Sequence, residues 1–189
     1  DETPIPVVWV DRIGDEFADF VGVDNYMEAS MLVKRFSVKP GKVGILHPKR
    51  SDVMTIQLRI DGTKSACEKQ SIPFELGALS DNEQESVAKM KQMIDGGVDS
   101  FVALNNKVAL HAINALNILK VEIPGKVRII SFDDSETFSY FAPPVTALSQ
   151  PVKKIGQETV ERLMDRLKES TENRKHLMME CSFMERGSH

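Results

Sequence analysis

Short, continuously apolar runs alternate along this chain with segments of helical period. The runs are Val7–Val10, Phe20–Val23, Lys42–Leu46, Ser100–Leu104 and Lys126–Phe132. Each ends at a polar or turn-forming pair: Asp11-Arg12, Asp24-Asn25, His47-Pro48, Asn105-Asn106 and Asp133-Asp134. Runs this short and this apolar predict strands covered on both faces, as in a parallel sheet. A further strand, with the weakest pattern, is expected around Ile72 to Leu76. Residues 83–95 place Val87, Met90 and Ile94 on one helical stripe. Residues 106–119 do the same with Leu110, Ile113 and Leu116, and residues 151–169 with Val160, Leu163, Met164 and Leu167. Fainter helices are expected at 26–37 and 53–70. Ser80 followed by Glu83 predicts a capping box. Gly96-Gly97 and Pro124-Gly125 supply stops, and Pro151 suits a first turn.

The spacing sets the fold class. Strands begin near residues 43, 73, 100 and 127, and a β-α-β unit takes about 30 residues. Residues 42 to 132 therefore predict four parallel strands and three crossover helices of a doubly wound α/β sheet.

Composition narrows the function. Of 189 residues, 41% are hydrophobic and 28% charged, which suits a globular chain with a real core. No apolar run reaches the roughly 20 residues of a membrane span. The net charge of −4 argues against a surface built to grip nucleic acid. Cys67 and Cys181 are far apart and predict reduced thiols of a cytoplasmic protein. His47, His111, His176 and His189 lack metal-ligand spacing. No dinucleotide fingerprint, phosphate-binding loop or nucleophile elbow occurs, so neither a cofactor nor catalysis is expected. Asp133, Asp134 and Glu136 have no nucleophile beside them. The mixed charges of residues 153 to 175 predict a solvated helix face with pairs such as Glu158–Arg162. The chain opens at Asp1 without Met or a secretory leader, so a fragment of a longer chain is expected. Gly187-Ser188-His189 fits either a native terminus or a cloning remnant.

Ligands of open parallel sheets bind outside the carboxyl ends of the strands. Those ends carry His47, Asn105-Asn106 and Asp133-Asp134. Such donors and acceptors suit a polyhydroxylated ligand, with Arg59 as a forked donor. The same Asn and Asp residues can instead cap helices or make turns.

Several stretches resemble the effector-binding core of the lactose-repressor (LacI/GalR) family of bacterial transcription regulators. They are Pro6–Arg12 with Val21–Asn25; Leu58–Gly62; Ala103–Asn106 leading to Ala109–Ala112 and Ile123-Pro124; Ile129–Asp134 with Pro143–Thr146, Gln150-Pro151 and Gly156; and the closing Met184–Ser188. The resemblance covers essentially the whole chain. Departures are Asn106 for the usual Asp, Ser131 for the usual Gly, and Pro40-Gly41 for a common Gly-His pair.

The resemblance implies two doubly wound parallel-sheet lobes of the periplasmic-binding-protein-like type I architecture, the C-terminal lobe complete and the N-terminal lobe partial. It implies residues 1–38 in the N-terminal lobe, 39–148 in the C-terminal lobe, 149–176 returning to the first, and 177–189 as a final strand crossing back. It places the effector between the lobes, against Thr55, Arg59, Asn105, Phe132, Asp133 and Val152. A small-molecule effector, a sugar or related metabolite, is implied. So are a homodimer and DNA contact only through a helix-turn-helix absent from these residues. Helix 106–119 and the segment 135–141, with Phe138, Tyr140 and Phe141, are the expected dimer surfaces. The alternatives are a periplasmic sugar-binding protein of a transporter, and an enzyme on a doubly wound fold.

Overall fold

A computed structural model describes residues 5–14, 18–49, 52–168 and 174–189. Two compact units emerge: residues 1–24 with 150–181, and residues 25–149 with 182–189.

The larger unit is built on a six-stranded sheet ordered β4-β3-β5-β6-β7-β9. Its strands are β3 (Val43–Pro48), β4 (Phe74–Leu79), β5 (Ser100–Ala103), β6 (Arg128–Phe132), β7 (Thr146–Ser149) and β9 (Ser182–Met184). All neighbours pair parallel except β7 with β9. Val102 is the partner of both Ile45 and Ile130, so the most apolar strands sit centrally. Phe101, Ala103 and Ile129 face a core shared with α3 (Glu83–Asp95) and α4 (Asn106–Ile118). Side chains alternate along a strand, so Val102, Ile130 and Phe132 face the other side. There α2 (Met54–Lys69) covers the sheet, and α1 (Asn25–Leu32) lies on α2. Gly62 permits that approach, because a Cβ there would come within 2.1 Å of the Tyr26 carbonyl oxygen.

The smaller unit has a parallel sheet ordered β1-β2-β8, from β1 (Val8–Val10), β2 (Asp19–Gly22) and β8 (His176–Met178). Helix α5 (Val152–Leu167) packs Ile155 against Val21 and Val23. The Asp19 carboxylate is wholly buried. It accepts from Arg162 Nε at 3.1 Å, from Arg166 at 2.7 and 2.8 Å, and from the Lys175 amide at 2.8 Å. The Arg166 hydrogen bond holds the Asp19 carboxyl at about 2, against the opposing push of its burial.

Local patterns failed where tertiary contacts overrode them. The cap of α3 is Asn82, whose side chain accepts from the Glu85 amide, while Ser80 Oγ accepts from the Asn82 amide. Gly97, at φ +87, closes the helix as expected. In α4 the buried face is Val108, Ala109, Ala112, Ile113 and Leu116, with Leu110 turned outward. In α5, Val160, Met164 and Leu167 are exposed. Arg162 is buried against Asp19 rather than solvated beside Glu158. Strand β4 begins after Pro73 and runs on to Leu79, because an edge strand needs no continuous apolar run. Residues 25–38, expected with the first lobe, belong to the larger unit through the α1–α2 contact. Residues 177–181, expected with the final strand, stay with the smaller unit, where β8 pairs with β2.

Candidate functional site

Chain order reverses across the larger sheet between β3 and β5, since β4 lies outside β3 while β5, β6 and β7 follow on the other side. Such a switch point leaves a crevice outside the strand ends. Helix α2 follows β3 and supplies Thr55 and Arg59 there. The β5–α4 turn carries Asn105, and β6 ends at Phe132, directly before Asp133.

Arg59 is the hub. Its guanidinium lies 3.8 Å from the centre of the Phe132 ring, a cation–π contact in a buried setting. Nε donates to Asn25 Oδ1 at 2.7 Å, and Nη1 donates to the Leu104 carbonyl and to Asp133 Oδ2, both at 2.8 Å. The arginine side chain is 5% exposed and the Asp133 side chain 24%. Such a pair is tolerable out of water only because each group keeps good partners. The Nη2 group carries the two remaining N–H donors of the guanidinium.

Asn105 takes the capping role. As the N-cap of α4 its Oδ1 accepts from the Val108 amide at 2.8 Å. That uses the acceptor and leaves the amide donors. Thr55 lies one turn before Arg59 and is buried. Phe132 is fully buried beneath Arg59, so it supports the guanidinium rather than lining the crevice. Val152 belongs to the smaller unit, at the start of α5, and is 71% exposed.

Asp133 has φ +71, the left-handed region that non-glycine residues avoid. Ser131 Oγ donates to the Asp133 carbonyl at 2.8 Å and bonds the Phe132 carbonyl at 3.0 Å. Ser131 thus stabilises this bend. Asp134 points elsewhere and takes both terminal nitrogens of Arg186, each at 2.8 Å. Burial pushes its carboxyl up, but the Arg186 hydrogen bonds and the Ser135 amide together hold it below the ordinary range.

Beside Asn105 lies a hollow of about 240 Å³, between the Pro48–Lys49 turn, Ser80, Asp81 and His111. Its charges are matched internally. Asp81 meets Lys107 Nζ at 2.7 Å and His111 Nε2 at 3.1 Å, and Lys49 meets Glu85 at 3.0 Å. Among the described residues no cluster of His, Cys, Asp and Glu is arranged to hold a metal ion. No helix among them is long and apolar enough to cross a membrane.

Sequence reasoning missed Asn25. Its signal was present, as an Asn directly after the Phe20–Val23 strand, but its role required α1 to be laid on α2. Arg186 was quoted in the closing motif without a partner.

A doubly wound parallel sheet leaves such a crevice, and the Arg59–Asp133 pair lies at its strand ends. Residues 41–189 match the family described as periplasmic binding protein-like domain, and the chain belongs to that family. It is 28% identical over 194 residues to the HTH-type transcriptional repressor PurR of Aliivibrio salmonicida (strain LFI1238), covering 98% of this chain and 58% of that protein. A LacI family transcriptional regulator from Enterococcus faecium with bound ribose superimposes with a TM-score of 0.82 at 22% identity, over 97% of this chain and 70% of that one. A transcriptional regulator CelR–cellobiose complex gives a TM-score of 0.79 at 22% identity, over 96% and 58%. This chain thus spans about six-tenths of the length of its curated relatives, which are transcription regulators rather than enzymes.

Proposed function

We propose that this chain is the effector-sensing core of a cytoplasmic LacI/GalR-type regulator that binds a sugar or related polyhydroxylated metabolite and performs no chemistry. The carrying observation is the Arg59–Asp133 pair, 2.8 Å apart at the switch point. Thr55, one helical turn before Arg59, and Asn105, directly after the Leu104 carbonyl that Arg59 binds, would add a hydroxyl and an amide. Hydroxyls leaving water need partners of both kinds, and this set offers them. Two structural relatives, by description, hold ribose and cellobiose. The regulator relatives favour this reading over a transporter's binding protein.

Binding would act by population shift. An effector that prefers one conformation of the regulator changes its DNA affinity by that difference in binding free energy. The DNA-contacting part is expected outside these residues. Association into a homodimer is expected through α4 and the segment 135–141, where Leu110 is 37% and Tyr140 84% exposed. Phe138, by contrast, is buried, in edge contact with Phe141.

Titration calorimetry of the full-length protein against a panel including D-ribose and cellobiose tests the reading. The expected result is saturable binding of one member, lost in Asp133→Ala. Unchanged affinity in Asp133→Ala would overturn the site. A monomer in sedimentation at high concentration would overturn the dimer.

A further inference from the structure

The chain's last residues run into the sheet. Strands β6 and β7 pair from Ile130 and Thr146 onward, and Ser188 fills the gap just before that pairing starts. Its Oγ donates to the Ile129 carbonyl at 2.6 Å and accepts from the Thr146 amide at 2.8 Å, while the Ile129 amide donates to the Ser188 carbonyl at 2.8 Å. Ser188 is fully buried. Gly187 donates to the Pro144 carbonyl at 3.0 Å, and a Cβ there would lie 3.0 Å from Pro143 Cβ. His189 Nδ1 lies 2.9 Å from Thr146 Oγ1, and Ser37 Oγ donates to the His189 carbonyl at 2.7 Å. The closing residues are therefore an integral part of the fold.

This anchorage fixes Arg186. Its amide donates to Thr146 Oγ1 at 3.0 Å, and Nη1 donates to the Val145 carbonyl at 2.6 Å as well as to Asp134 Oδ1. A bidentate arginine–carboxylate pair fixes direction as well as distance. Asp134 directly follows Asp133, whose left-handed backbone persists only if its surroundings over-determine it. Ser131 holds that bend from the preceding side, and Arg186 holds it from the following side.

We propose that Arg186 is a positioning residue of the crevice. Its clamp on Asp134 fixes the backbone at Asp133 and so aims the carboxylate that, with Arg59, meets an effector. Arg186 itself touches no ligand. The affinity consequence rests on the effector-binding reading above, whereas the geometric consequence does not.

The test uses the full-length protein with Arg186→Gln, Arg186→Lys and Asp134→Asn. The first readout is the Arg59 Nε–H resonance in a nitrogen–proton NMR spectrum, which reports the Asn25–Arg59–Asp133 arrangement. The second is calorimetric affinity for D-ribose and cellobiose. Arg186→Gln should move the Arg59 resonance and weaken the bound probe about tenfold, the worth of one charge-assisted hydrogen bond. Arg186→Lys should recover part of both, since Lys keeps the charge but not the fork. Combining Arg186→Gln with Asp134→Asn should add nothing to Asp134→Asn alone. An unmoved Arg59 resonance in a folded Arg186 variant overturns the proposal, and if the Gln variant does not fold, the Lys variant decides. Wild-type protein that binds neither probe counts against the sugar reading, while the resonance still decides the clamp.

Discussion

Asn25 accepts a 2.7 Å hydrogen bond from Arg59 Nε, so the first residue of α1 sets the tilt of that guanidinium. Asn25→Ala would leave a buried guanidinium N–H without that acceptor. The expected cost is about 1–3 kcal/mol, seen as a lower urea midpoint. Effector affinity should fall with it, because Arg59 then loses one of three directions that fix its plane.

Arg59→Lys should be worse than its conservative chemistry suggests. One ammonium cannot reach Asn25, the Leu104 carbonyl and Asp133 together, nor lie flat on Phe132. A loss of about 3 kcal/mol is expected, at the low end for breaking a buried pair because Asp133 retains some water. Chemical denaturation of both proteins measures it, and a loss under about 1 kcal/mol would show that the pair contributes little net stability.

Asp19 makes the smaller unit sensitive to acid. Its folded carboxyl titrates at about 2, below the unfolded value of 3.8. A depressed carboxyl contributes stability above the unfolded value and loses it as pH falls toward the folded one. The contribution at neutral pH is about 2 kcal/mol. Asp19→Asn should therefore lower the denaturation midpoint at pH 7, and its deficit against wild type should shrink between pH 4 and pH 2. A deficit independent of pH would assign the loss to packing.

Ser188→Ala would orphan the Ile129 carbonyl's donor and the Thr146 amide's acceptor inside the sheet. About 2 kcal/mol of destabilisation is expected. A thermal melt matching wild type would mean that water replaces the hydroxyl and that the wedge is dispensable.

The two thiols should differ in reactivity. Burial, with the nearby Glu68 charge, pushes Cys67 up to about 11, so little thiolate exists near neutrality. Cys181 is only half-buried. Alkylation followed by mass spectrometry at pH 7.5 should label Cys181 first, with Cys67 labelled only on unfolding.

Much of the larger unit was legible because its signals are local. The runs Val43–Leu46, Ser100–Leu104 and Ile129–Phe132 are buried on both faces, so no choice of face had to be made. Helix α3 stops at Asp95 because Gly97, at φ +87, takes the left-handed turn that follows. Amphipathic faces were less legible. Val160, Met164 and Leu167 lie at helical spacing, yet Ile155 and the aliphatic stem of Arg162 make the buried side of α5. A buried arginine looks like a surface residue until its partner, 143 positions away, is known.

The sequence by itself determined the alternation of strands and helices, the parallel sheet and the strand ends that bear Asn105 and Asp133. Those follow from periods and turn chemistry that act over a few residues. It also offered Arg59 as a forked donor. Only the tertiary structure decided that Arg59 is held by Asn25 and Asp133, that Phe132 lies beneath it, and that Asp134 turns to Arg186 instead. A guanidinium can satisfy many carboxylates and carbonyls along a chain. Which it meets depends on strand order and helix packing, because burial admits only the partners that leave no charge or N–H unmatched.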